Sequence, residues 1–317
     1  MKGTKIKAAA LGLCAASVFS LCSFTAAGNE AVEVRESARI GEEILTAPLS
    51  TPHYELAVSK IYNKNAGAYA LAEVRLNGKR ITSDVRMING EPYVALRSFI
   101  NETTNMTVTY KSQIRTLNVK GHDFEMDVID GGNVIYANGR TLFSMSPSAI
   151  MTNGRMYAPL NLIAKSLGFS YYQSASTGAF ILSGEVKPIT HGSVYYDSDA
   201  VYWLSRIISA ESRGESLLGQ IAVGSVVMNR VKSSSYPGTI WGVIFDRKYG
   251  VQFSPILDGS IYNTPTSTSI VAAKICLEGF LVNKDALFFL YPRASTSTWI
   301  PNNRTYLFSI GKHDFYA

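Results

Sequence analysis

The stretch that most constrains the fold is Leu217–Val231, LLGQIAVGSVVMNRV, which is apolar on nearly every side. A helix of that kind has no face to give to water, so the rest of its domain must surround it. The run ahead of it behaves differently. Val201, Leu204 and Ile208 fall at helical spacing, and Glu211 continues the same inward stripe. A carboxyl on such a stripe must be solvated by a cleft, paired, or neutralised. Burial raises its pKa, which is what a general acid near neutral pH requires. Ser212-Arg213-Gly214 is expected to end this first helix through a left-handed glycine, and Glu215-Ser216 to start the second. Periodicity alone leaves open that Glu211 is a surface acid falling in register.

A chain of 317 residues with 46% apolar content has room for about two globular domains. Lys2, Lys5 and Lys7, the apolar run Ala8–Phe24 and the small residues Thr25-Ala26-Ala27 read as a signal peptide over 1–27. An uncleaved anchor is the competing reading. Cys14 and Cys22 both follow a leucine, which argues against a lipoprotein. After cleavage only Cys276 remains, so no internal disulfide is expected, in keeping with export to a bacterial wall. No other segment approaches the roughly 20 apolar residues of a membrane span. Losing the three signal lysines takes the net charge from +6 to about +3. Lys and Arg are scattered, which excludes a dense nucleic-acid-binding patch.

Residues 28–69 read as a tether carrying a Thr/Pro/Ser patch. From 70 to 183 the texture changes to short alternating segments. Leu71–Leu76, Met106–Tyr110, Thr116–Val119 and Ala179–Leu182 read as strands. MINGEPYVALRSF (Met87–Phe99) recurs about 64 residues later as MTNGRMYAPLNLI (Met151–Ile163). Each copy reads as an Asn-Gly hairpin turn, a strand and a helix, so two copies suggest a small pseudo-symmetric domain. This pattern resembles the copper amine oxidase N-terminal-like domain, a stalk module of exported Gram-positive proteins. The resemblance implies a spacer or wall-contact element. No metal site accompanies it in the sequence, since His122 and His191 are isolated. A second linker follows at 184–198.

Residues 199–317 suffice for one compact core. Thr268–Phe280 reads as a third helix and Ala286–Leu290 as a strand. A zinc amidase needs several His ligands, and this region has only His313. Cys276 sits on the apolar face of a helix, where a free Cys usually serves packing. No nucleophile elbow, P-loop or dinucleotide fingerprint occurs. What remains is acid chemistry by Glu211. Glycosidic cleavage fits, because its leaving oxygen needs a proton from an acid of raised pKa. A second carboxylate, if used, would come from Glu215, Asp246 or Asp258.

SAESRGESLLGQIAVGSVVMNRV, the later VQFSPILDGSIYNTP and the ending GKHDFYA resemble the germination-type cell wall hydrolases, the spore cortex-lytic enzymes of spore-forming Gram-positive bacteria. The resemblance implies an α+β chain: the small β/α stalk domain followed by a mainly helical, lysozyme-like catalytic domain. It implies cleavage of the peptidoglycan glycan strand by lytic transglycosylation, without cofactor or metal, with Glu211 as catalytic acid. Glu215, Gln252, Phe253, Tyr291 and His313 match recurring positions and are expected to bind substrate. It further implies secretion to the cell wall or spore envelope, and an accessory germination protein that the sequence does not identify. Ser212 stands where the family usually has Ala, and Tyr291-Pro292 lacks an intervening Asn. The stalk replaces the family's usual peptidoglycan-binding repeat, which leaves vegetative wall remodelling open beside cortex lysis. An N-acetylmuramoyl-L-alanine amidase and a non-catalytic wall-binding protein are the alternatives.

Overall fold

The computed structural model describes residues 70–248, 250–295 and 298–317. The expected signal peptide and tether lie outside the described residues. The fold is α+β, with a β-rich N-terminal region and a mainly helical C-terminal region.

Each repeat copy folds as a hairpin followed by a short helix. In the first, β3 (Val85–Ile88) turns into β4 (Glu91–Ala95) and α1 (Leu96–Thr103). In the second, β10 (Ile150–Thr152) turns into β11 (Arg155–Pro159) and α2 (Leu160–Leu167). Both turns place Asn and Gly at positive φ, 51° and 82° at Asn89-Gly90 and 48° and 70° at Asn153-Gly154, as a two-residue hairpin turn requires. The copies then pair with each other: β4 runs antiparallel to β11, with Val94 opposite Ala158, giving the sheet order β10-β11-β4-β3.

Two further sheets complete this region. β1 (Val74–Leu76) lies between β2 (Lys79–Arg80) and β13 (Phe180–Ser183), and β12 (Ser170–Gln173) forms the far edge. The β1–β13 pairing is parallel and joins the two ends of the module. Between the repeat copies runs a five-stranded meander: β5 (Thr107–Lys111), β6 (Thr116–Gly121), β7 (Phe124–Ile129), β8 (Val134–Ala137) and β9 (Arg140–Phe143). Leu96, Phe99 and Ile100 of α1 and Leu160, Ile163 and Leu167 of α2 bury against Val94, Val119, Met126 and Ile135 in one core. His122 is exposed on a hairpin and His191 caps a one-turn helix, so neither histidine contributes to a donor set for copper. Among the described residues no cluster of three or more His, Cys, Asp or Glu could hold a metal ion.

The connecting stretch 184–198 lies against the N-terminal module. Lys187 N donates to Leu167 O (2.9 Å), Gly192 N to Asn138 O (2.7 Å), and residues Gly192–Tyr195 form α3. Gly192 meets the Gly139 backbone so closely that no Cβ would fit.

In the C-terminal region, α4 (Ser198–Ser212) starts on the Asp197 carboxylate, which accepts from Ala200 N. Its end differs from the sequence expectation. Arg213 is right-handed (φ −56°), Gly214 is not at positive φ, and Glu215 N closes the turn on Ser212 O (2.9 Å). A tight turn thus separates α4 from α5 (Leu217–Lys232), which the Ser216 hydroxyl caps. α5 is the central helix, with Leu217, Ile221, Ala222, Val223, Val226 and Val227 all buried. α7 (Ser267–Leu277) packs on α4 and α5, and its buried Ser269 hydroxyl donates to Gln220 Oε1 (2.8 Å). A Cβ on Gly224 would stand 2.8 Å from both Cys276 Sγ and Ile208 Cδ1, so glycine is what lets three helices meet. α7 stops at Leu277, short of the expected Phe280, as Gly279 turns left-handed (φ 93°). A short helix α6 (Ile240–Ile244), β14 (Phe288–Leu290), the helical turn α8 (Trp299–Asn303), β15 (Tyr306–Ile310) and β16 (His313–Tyr316) follow, with sheet order β14-β16-β15.

The two regions share an interface. Val134, Tyr136 and Phe143 of the meander pack into the C-terminal core, and Phe143 meets Phe280 edge-on at 4.7 Å. Arg140 of β9 forks onto the Glu278 carboxylate, with Nε and Nη2 each at 2.6 Å. Lys165 Nζ (3.0 Å) and the Tyr196 hydroxyl (2.9 Å) complete that carboxylate's contacts.

Candidate active site

One groove of about 1220 Å³ gathers Glu211, Arg230, Tyr236, Asp246, Gln252, Phe253, Phe288, Tyr291, Trp299, Arg304 and His313. Its floor is the end of α4 and the last turn of α5. One wall is the segment after α6; the other is the C-terminal sheet with α8.

Glu211 sits in the last turn of α4, half-buried, while its neighbours Ile208 and Ser212 are buried. Its carboxyl has no hydrogen-bond partner among the described residues. Burial pushes its pKa up, and the negative charge of Asp258 adds to that; the positive charge of Arg230 pulls the other way, leaving it at about 7. A carboxyl at that value is half protonated at neutral pH, so it can both donate and accept a proton.

Four of the five other residues expected from sequence come to this groove. Gln252 presents a side chain tethered by its Nε2 to Gly250 O (3.1 Å). Phe253 is buried at 2% exposure and lies 6.4 Å from Phe289, so it forms floor and offers little surface. Tyr291 stands 6.2 Å from the His313 ring. His313, 7% exposed, has an unpartnered Nδ1 and a pKa held below the usual value, chiefly by burial.

Glu215 is placed elsewhere. It does not line the groove: its Oε2 accepts from Lys312 N (3.2 Å), and it faces Gly311, where φ is 59° and any Cβ would collide with the carboxylate. It thus braces the β15–β16 turn, one residue from His313. Of the other candidate carboxylates, Asp246 lines the groove. Asp258 does not, and its Oδ1 accepts from Ser260 N (2.8 Å).

The groove also holds residues that the sequence did not single out for chemistry. Arg230 reads in sequence as an ordinary basic residue in the last turn of a helix. In the fold its side chain is 5% exposed, with Nε donating to Leu287 O (2.8 Å). Trp299 is 52% exposed, and Arg304 stacks over both Phe288 (4.5 Å) and Trp299 (4.9 Å). Aromatic faces beside polar groups are the usual surface for a sugar ring. Cys276 lies outside the groove, its thiol pushed up to about 12 by burial, which is no nucleophile.

Comparison with known proteins places these features. Residues 214–316 match the family model described as cell wall hydrolase, and residues 75–182 match the copper amine oxidase N-terminal domain. The chain is similar to a spore cortex-lytic enzyme of Bacillus cereus, 38% identical over 120 residues that make up 38% of this chain and 45% of that protein. It is also similar to a spore cortex-lytic enzyme of Bacillus subtilis, 32% identical over 120 residues, 38% of each. The chain therefore spans less than half the length of either relative. Among solved structures, it matches the catalytic domain of the germination-specific lytic transglycosylase SleB from Bacillus anthracis at 36% identity. That match covers 41% of this chain and all of that one, with a TM-score of 0.36. The hydrolase match begins three residues past Glu211, so the assignment of that acid rests on the motif around it and on its surroundings.

Proposed function

We propose, from the premise that the C-terminal domain belongs to the cell wall hydrolase family, that it cleaves the glycan strand of peptidoglycan by lytic transglycosylation through Glu211. The observation that carries this reading is a half-buried carboxyl with a pKa near 7 in a groove walled by aromatic residues. Protonated Glu211 gives its proton to the glycosidic oxygen as the C1–O bond breaks, and the bonding electrons leave with that oxygen. The sugar passes through an oxocarbenium-like state. The muramic acid 6-hydroxyl then forms the new bond to C1, and its proton returns to the Glu211 carboxylate. One group thus serves first as acid and then as base, and the product ends in a 1,6-anhydro sugar.

Gln252 and Tyr291 contact the sugars in this reading, with Phe253 beneath them and His313 donating or accepting at the edge of the sheet. Glu215 acts through the turn it braces. The protein works outside the membrane, at the cell wall or spore envelope; among the described residues no helix is long and apolar enough to cross a membrane. A cortex substrate is favoured by the names of the relatives.

One observation favours a second reading. Asp246 lines the same groove, so it could activate water for ordinary hydrolysis. Mass spectrometry of soluble products from vegetative and cortex peptidoglycan separates the two. Anhydromuramic ends, absent with Glu211→Gln, support transglycosylation. Reducing ends, lost with Asp246→Asn, support hydrolysis. Free stem peptides that persist in Glu211→Gln would mean an amidase, and binding with no product a wall-binding protein.

A further inference from the structure

Arg230 is a cation where a fold of this kind has little reason to keep one. Its side chain is buried, its Nε is fixed to Leu287 O, and its Nη1 has no partner. The guanidinium carbon lies 5.1 Å from the Tyr236 ring, 5.2 Å from Phe253 and 5.5 Å from Phe288. Among the described residues no carboxylate comes within ion-pair distance of it. Burying a charge without a partner is costly, and the folded chain keeps it at the floor of the groove. A last-turn arginine on the surface would serve the helix dipole equally well at no such cost.

The carboxylates whose charge favours the guanidinium are Asp246 and Glu211. Asp246 is itself partly spent on Lys248 N, to which it stands as acceptor at 2.9 Å. Glu211 is the one that changes charge during the proposed reaction, and Arg230 in turn is the positive charge that favours its carboxylate.

We propose that Arg230 is a positioning residue for the reaction: its fixed guanidinium stabilises the carboxylate that Glu211 becomes once the proton has left, and so sets how readily Glu211 donates and recovers it. This rests on Glu211 being the catalytic acid. Other charges surround the groove. Asp258, outside its lining, acts from the segment after α6. Arg304 follows α8, and His313 lies on β16 with Glu215, Lys312 and Asp314 around it. Arg230 differs from Arg304 in being buried and held, so its charge is screened less and is not free to swing away.

The test uses the full exported chain. Arg230→Gln and Arg230→Lys both disturb packing, but only the first removes charge. With soluble peptidoglycan fragments, Arg230→Gln is expected to lower kcat about ten-fold or more with KM changed much less. It should also move the alkaline limb of the rate profile upward by roughly one pH unit. Arg230→Lys should keep the limb near its wild-type position and recover part of kcat. An unmoved limb in Arg230→Gln, or equal movement in both variants, overturns the proposal. A second measurement needs no change at Arg230. Its side-chain ¹⁵N resonance in the wild-type protein should titrate near pH 7, and the titration should vanish in Glu211→Gln. A resonance that ignores Glu211 also overturns it. An active Glu211→Gln would instead sink the underlying functional reading, so the two failures are distinguishable.

Discussion

Glu278→Gln should uncouple the N-terminal module from the hydrolase domain and lower the stability of both. The Glu278 side chain is 4% exposed and that of Arg140 is 8%, so this fork is a buried ion pair joining positions 138 residues apart. Arg140 also stacks on the Tyr195 ring at 3.3 Å, while Tyr196 bridges Glu278 to Thr141 N. Glutamine keeps the volume and one acceptor but strands a buried guanidinium. Removing one partner of such a pair costs roughly 3–5 kcal/mol. For a cooperative unit of this size that is a fall of about 6–20 °C in Tm. Burial alone would raise the Glu278 pKa, but the hydrogen bonds from Arg140 and Lys165 outweigh it and hold it below the usual 4.5. The fold therefore favours the ionised form. Its contribution is full above about pH 4.5 and disappears as pH falls through the lower folded value. Calorimetry at pH 7 and at pH 3 tests this. The variant's deficit should be large at pH 7 and shrink at pH 3, and the wild type should melt as one transition. Two independent wild-type transitions, neither shifted by Glu278→Gln, would refute the coupling. So would equal loss at both pH values.

Four further outcomes follow from the geometry. Glu211→Gln should reduce glycan cleavage by roughly 10²–10⁴-fold, while its Tm rises above the wild-type value at alkaline pH. The sign follows from the raised pKa near 7: folding favours the protonated acid, so that contribution is full below about 4.5 and lost as pH rises through 7. In the wild type, the same titration should make turnover fall above pH 7. Gly224→Ala should cost about 1–3 kcal/mol in urea unfolding, because its methyl meets Cys276 and Ile208 at 2.8 Å. Gly311→Ala should displace the Glu215 carboxylate from the β15–β16 turn, and nuclear magnetic resonance should register the change at His313.

Much of the N-terminal module was legible because its signals are local. The Asn-Gly turns required positive φ, and the repeated strand and helix buried matching positions such as Val94 and Ala158. The last three strands of the meander went unread although their signals were of the same kind. Phe124, Met126 and Val128 alternate with exposed or half-buried residues, and Asn138-Gly139 turns β8 into β9 with both residues at positive φ. Glu125 and Asp127 supply the polar half of that alternation, although acids are depleted in strands; in the fold they sit on the polar face, where Asn118 Nδ2 donates to both. Docking of the module was not legible at all. Nothing within a few residues of Glu278 announces Arg140, and the contact exists only once β9 lies across the end of α7.

The candidate site divides along the same line. Glu211 could be read from helical periodicity, since an acid on an inward stripe must be accommodated somewhere. Gly214, read as a left-handed stop, misled in a small way: the Glu215–Ser212 turn ends α4 without positive φ, because backbone closure within a short link needs no special residue. Arg230 could not be read, because its role depends on what surrounds it. At the end of an isolated helix it would favour the dipole and point to water; enclosed by Tyr236, Phe253 and Phe288 it becomes a fixed charge. The all-round apolar character of α5 is what creates that enclosure. A helix that the domain must surround carries its last-turn arginine inward with it. The same packing that makes α5 the centre of the fold thus places a cation at the floor of the groove.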